Sequence, residues 1–79
     1  MKLPRDLSGS QLAKKLSSLG YEITRQTGSH FRLTTKQKGE HHITIPNHGS
    51  LRVGTLSAIL AEIAVHFNRT KEEIVDEIF

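Results

Sequence analysis

The sequence predicts an α+β domain, and three observations carry that expectation. Two Ser/Thr-x-x-Gln/Glu segments, at Ser8–Gln11 and Thr70–Glu73, have the form of capping boxes that open helices. Between them the apolar period changes from helical spacing to two. The segments that separate the alternating runs are short and polar, so successive strands should pair antiparallel.

In chain order, the Ser8 hydroxyl and the Gln11 side chain can satisfy each other's backbone N–H groups. Leu12, Leu16 and Leu19 then recur at helical spacing, and Gly20 stands where a left-handed stop is wanted, so a first helix is expected over Gly9 to Leu19. Its wet face carries Lys14, Lys15 and Ser18. From Tyr21 the alternation places Tyr21 and Ile23 on one face and Glu22 and Thr24 on the other. Gly28-Ser29 suits a tight turn. A second strand, His30 to Thr34, directs Phe31 and Leu33 inward, with His30, Arg32 and Thr34 opposite. Lys36 to Glu40 is a polar connection, and His41 to Ile45 a third strand with Ile43 and Ile45 inward. Pro46 ends it, since proline cannot donate to a ladder. Leu56, Ile59, Leu60, Ile63 and Phe67 mark an amphipathic helix after the loop 47–55. Ile74, Val75, Ile78 and Phe79 give the last, short helix its apolar stripe.

Seventy-nine residues without a visible linker or repeat read as one domain, 1–79, with 68–79 as a helical extension. Hydrophobic content of 35% and charged content of 24% fit a soluble globular chain, and no apolar run approaches a bilayer span, so no membrane partner is expected. The segment Met1-Lys2-Leu3-Pro4-Arg5-Asp6 lacks the apolar core of a secretion signal, from which a cytoplasmic location is expected. Zero cysteines exclude disulfides, thiolate metal sites and cysteine nucleophiles, leaving five histidines as the most versatile reactive groups.

The net charge of +3 conceals an asymmetry. Residues 1–52 hold nine Lys/Arg against three Asp/Glu, while residues 53–79 hold two against five. The basic part contains four of the five histidines. Such a surface suits a polyanion, because phosphate contacts dominate nucleic-acid binding, although ordinary solubilising charge explains it equally well. Arg25, Arg32, Lys36, Lys38 and Arg52 are the candidate phosphate contacts.

If the helices cover one sheet face, His30, Arg32, His42 and Thr44 share the other. His30 there could remove the proton of a ribose 2′-hydroxyl, with Arg32 balancing charge on the phosphorus oxygens. From spacing alone, an exposed strand histidine without a task is the simpler reading. His41 and His42 point to opposite faces and cannot share a metal. No carboxylate stands at ligand spacing beside His42 and His48, so no metal site is expected. His66, near a helix end, is explained by the helix dipole. The scattered glycines form no phosphate loop, and no other cofactor motif is present. Phe31 and Phe67 read as core rather than as base-stacking platforms.

Three segments in order, Gly28-Ser29-His30, Ile43 to His48 and Leu51 to Leu60, resemble the HicA toxin family over about Ser8 to Ile63. The resemblance implies a fold like the double-stranded RNA-binding domain, α-β-β-β-α, here with an extra C-terminal helix. It implies an endoribonuclease that cleaves mRNA without a metal or cofactor and is neutralised by a HicB antitoxin. The chain would then be a monomer alone or part of a toxin–antitoxin hetero-oligomer. By position the family's catalytic histidine falls on His30, with Gly28 and Ser29 shaping the turn that presents it. His42 and His48 join Arg25, Arg32, Lys36, Lys38 and Arg52 as RNA-contact candidates. Some members carry a second histidine directly after the first; here that position is Phe31, and a second proton-transfer group, His42 or none, is left unassigned. A non-catalytic RNA- or protein-binding module of the same fold is the competing function.

Overall fold

The computed structural model describes residues 3–79, so Met1 and Lys2, on which part of the N-terminal reading rests, lie outside the described residues. The elements run α1 (Gly9–Lys15), a 3-10 segment (Leu16–Leu19), β1 (Glu22–Gln26), β2 (His30–Thr35), β3 (His41–Pro46), α2 (Val53–Phe67) and α3 (Lys71–Ile78). This is the predicted α+β order with its additional C-terminal helix. The sheet is antiparallel in the order β1-β2-β3.

Both capping boxes form. Ser8 Oγ accepts from Gln11 N–H while Gln11 accepts from Ser8 N–H, and Thr70 and Glu73 repeat the exchange. The single helix expected over Gly9 to Leu19 tightens into 3-10 geometry after Lys15. Ser17 and Ser18 donate their hydroxyls to the carbonyls of Lys14 and Lys15, and such back-bonding competes with the regular ladder. Gly20, at φ 82°, then closes the segment: its N–H reaches Ser17 O and that of Tyr21 reaches Leu16 O.

One apolar cluster joins Leu12, Leu16 and Leu19 from the first helical segment, Phe31, Leu33, Ile43 and Ile45 from the sheet, and Leu56, Leu60 and Ile63 from α2. Ile74, Val75 and Ile78 belong to it, so α3 is packed into the same core. Lys71 also donates to Ser57 Oγ across the α2–α3 contact. Fully burying one such side chain stabilises the fold by about 1.5–3 kcal/mol.

The expected pairing of Tyr21 with Ile23 on a buried face requires correction. Tyr21 is buried just before β1, but Ile23 is 47% exposed. Ile23 pairs with Leu33 and Arg25 with Arg32, which leaves Thr24 as an extra residue on β1. β1 is moreover an edge strand, whereas α1 and α2 lie against β3. Alternation thus gives Ile23 the face of its buried partner Leu33, but at this edge the helices do not cover it, and the period breaks only at the extra residue Thr24.

The beginning of α1 is fitted onto the end of β3. Gly9 N–H donates to His48 O at 3.0 Å and Leu51 N–H to Leu7 O at 2.7 Å. A Cβ at Gly9 would stand 2.1 Å from the Pro46 carbonyl oxygen, so this crossing admits only glycine.

Candidate nucleic-acid interface and catalytic histidine

His30 opens β2, and its place is set by the two-residue turn before it. Thr27 N–H donates to His30 O at 2.9 Å, and His30 N–H returns to Thr27 Oγ1 at 3.1 Å. A threonine hydroxyl thus replaces the backbone carbonyl as acceptor in the turn. Gly28 has no positive φ and open space where a Cβ would stand, so backbone geometry does not demand glycine there. The hydroxyl of Thr27 shapes the turn instead, accepting from the N–H groups of Ser29 and His30. From β3, Asn47 N–H donates to Ser29 O at 2.8 Å, continuing the ladder past the His30–Pro46 pair.

On the sheet face away from the helices, His30, Arg32 and Thr44 are exposed, while the alternating Phe31, Leu33, Ile43 and Ile45 are buried. Arg32, two residues from His30, lies about 7 Å along the strand. The bulge at Thr24 brings Arg25 opposite Arg32, so two guanidinium-bearing residues are cross-strand neighbours. Neither forms a salt bridge among the described residues. Like charges placed opposite each other repel, and an anion lying over them relieves that repulsion. Lys36 and Lys38 occupy the β2–β3 turn at the far end of the sheet, about 20 Å from His30 by strand rise. His48 and Arg52 lie beyond the His30 end, where with Pro46, Ser50, Leu51 and Thr55 they line a cavity of about 310 Å³.

His42 pairs with Thr34, four residues from His30 along β2, a separation of about 13 Å. Its two ring nitrogens are engaged, Nδ1 with Thr34 Oγ1 at 2.7 Å and Nε2 with Glu40 at 3.0 Å. The expectation that no carboxylate stands at ligand spacing beside His42 and His48 is corrected for His42, where Glu40, two residues earlier in the chain, supplies one. Thr24, Thr34, His42 and Glu40 form one hydrogen-bonded chain over the open face. Among the described residues no cluster of three or more His, Asp or Glu is placed to hold a metal ion.

The remaining histidines form an arrangement that the spacing did not reveal. His41 and His66 stack with ring centroids 4.4 Å apart and 12° between planes. His66 Nε2 donates to Gln37 O at 2.9 Å, which fixes the ring to the β2–β3 turn in addition to any helix-dipole effect. Tyr21 Oη bonds His41 Nδ1 at 2.7 Å, and Glu62 lies 3.7 Å from His41 Nε2. Burial, with the His66 and His42 charges, holds the His41 pKa below its ordinary value against the opposing pull of Glu62. Burial and then Glu62 push the Tyr21 hydroxyl upward. His41 opens β3 and His66 stands near the end of α2, so only packing shows that they meet.

The fold and exposed face define a small α+β domain of the type built on a double-stranded RNA-binding-like frame. The model of a family described as HicA toxin of bacterial toxin–antitoxin matches residues 9–65, from the start of α1 to all but the last two residues of α2, leaving out α3. The chain belongs to the HicA toxin family. No curated protein and no solved structure matches it. No helix among the described residues is long and apolar enough to cross a membrane.

Proposed function

We propose that this toxin cleaves mRNA with His30 as general base and is neutralised by a HicB-type antitoxin. The observation that carries the reading is the placement of His30 on an exposed sheet face, two residues from Arg32 and beside the Arg25–Arg32 pair. An unprotonated His30 nitrogen takes the 2′-hydroxyl proton, and the 2′-oxygen attacks the adjacent phosphorus. The bond to the 5′-oxygen breaks, leaving a 2′,3′-cyclic phosphate and a 5′-hydroxyl that takes its proton from water. Arg32 and Arg25 stabilise the charge that grows on the phosphorus oxygens. His42 is separated from this step by about 13 Å, and its role in the proposal is to contact the RNA. Lys36 and Lys38 at one end, and the His48–Arg52 cavity at the other, hold the flanking backbone. The chemistry uses no metal or cofactor, and the site of action is the cytoplasm, where mRNA is translated.

A defined RNA oligonucleotide tests the proposal. His30→Ala should lower cleavage by about 10²–10⁴-fold with RNA binding and the far-ultraviolet spectrum retained. A 2′-deoxy substitution at the cleaved position should block the reaction, and chelator should leave it unchanged. Undiminished cleavage by the variant would refute the role of His30. Binding without cleavage by the unaltered chain would favour a non-catalytic module. The antitoxin should cover the open face around His30; a complex leaving that face accessible would contradict this part.

A further inference from the structure

The turn before His30 holds Ser29 from both sides. Ser29 N–H donates to Thr27 Oγ1 at 3.4 Å, and Ser29 O accepts from Asn47 N–H at 2.8 Å. Both contacts use backbone atoms, so they survive loss of the serine side chain. The Ser29 hydroxyl has a separate contact: Oγ lies 2.9 Å from His30 Nδ1.

The contact bears on which imidazole nitrogen can move a proton. His30 is exposed, and an exposed imidazole otherwise rotates about its side-chain bonds and exchanges tautomers in water. A partner at Nδ1 restricts the ring and places Nε2 on its far side. General-base action from Nε2 requires a free lone pair there, and neutral imidazole then carries its hydrogen on Nδ1. A hydroxyl oxygen can accept that hydrogen.

We propose that Ser29 is a positioning residue for His30, its Oγ accepting the Nδ1 hydrogen and so holding the imidazole in the tautomer whose Nε2 lone pair is free. The proposal rests on the reading of His30 as the base. It gives the Gly28-Ser29-His30 segment a division of labour: Thr27 and the backbone form the turn, and the Ser29 hydroxyl selects the reactive nitrogen. A single hydrogen bond of this kind, exposed to water, is worth about two- to tenfold in rate.

Two measurements on the full chain test it. Nitrogen-15 NMR reads the His30 tautomer at a pH where the ring is neutral, and steady-state cleavage of an RNA oligonucleotide gives kcat and KM. The unaltered chain should show the Nδ1–H form, and Ser29→Ala should move the population toward Nε2–H. The same variant should lose about two- to tenfold in kcat with KM unchanged. Ser29→Thr, which keeps the hydroxyl, should restore both. An Nε2–H form in the unaltered chain, an unchanged tautomer in Ser29→Ala, or unchanged kcat in that variant would each overturn the proposal. Failure of Ser29→Thr to restore either readout, in a chain that melts normally, would also overturn it. Cleavage retained by His30→Ala would instead refute the base itself, a result distinguishable from an unaltered tautomer in Ser29→Ala.

Discussion

Replacing Gly9 by alanine sets local helix propensity against tertiary packing. Gly9 is the first residue of α1, where alanine should gain up to about 0.5–1 kcal/mol by lowering the entropy lost on folding. The new Cβ would lie 2.1 Å from the Pro46 carbonyl oxygen, and reaching an ordinary contact of 3.4 Å requires a retreat of 1.3 Å. Both sides of the contact are main chain, so no flexible side chain can yield. Overpacking of this kind costs about 1–3 kcal/mol. The same displacement stretches the Gly9 N–H to His48 O bond, a further loss of about 0.5–1.5 kcal/mol. Packing outweighs propensity, with a net destabilisation of about 2 kcal/mol. For a domain of this size that lowers Tm by about 8–16 °C, measurable by circular dichroism. The displaced Pro46–His48 segment also carries the Asn47 N–H that holds Ser29 O, so RNA cleavage below Tm should fall as well. An unchanged or raised Tm in Gly9→Ala would refute the reasoning.

Thr35 is fully buried, donates to Leu19 O at 2.8 Å and accepts from Gln37 N–H at 3.1 Å. Thr35→Val keeps the shape, strands both partners, and should cost about 1–3 kcal/mol, seen as a lower urea midpoint at unchanged m. His41 has a folded pKa below its ordinary 6.5, so the folded state binds fewer protons than the unfolded chain as pH falls through that region. Stability should therefore be full above 6.5 and decline below it, with His66, Glu62 and His42 as the charged neighbours; a His41→Phe variant should show a flatter Tm profile between about pH 8 and about pH 5. RNA affinity should fall steeply with salt, and Arg25→Gln with Arg32→Gln should reduce the slope of log K against log salt by about 0.7 for each phosphate left without its arginine on single-stranded RNA; a slope equal to that of the unaltered chain would remove these arginines from the interface.

Much of the architecture is local and therefore readable in the chain. The two capping boxes join residues three apart, and the leucine and isoleucine stripes of α1 and α2 need only helical geometry. Alternation in β2 and β3 placed Phe31, Leu33, Ile43 and Ile45 inward and His30 and Arg32 outward, because strands flanked by partners or helices keep strict period two. In β1 it missed that the edge leaves Ile23 uncovered and that one extra residue, Thr24, is absorbed there without disturbing a second neighbour. That bulge decided the cross-strand pairing of Arg25 with Arg32, which is a property of register and not of spacing.

The division is sharpest at the histidines. The sequence alone determined that His30 opens a strand beside a basic residue, and its resemblance to a toxin family pointed to the same position. Only the tertiary structure decided that His42 is tied between Thr34 and Glu40, and that His41 and His66, 25 positions apart, stack on each other. It likewise decided that α3, outside the matched family segment, completes the same core. Backbone periodicity and caps act over a few residues, so one strand of sequence carries them. Register, stacking and burial depend on which distant segments meet, and folding against the shared core fixes those encounters.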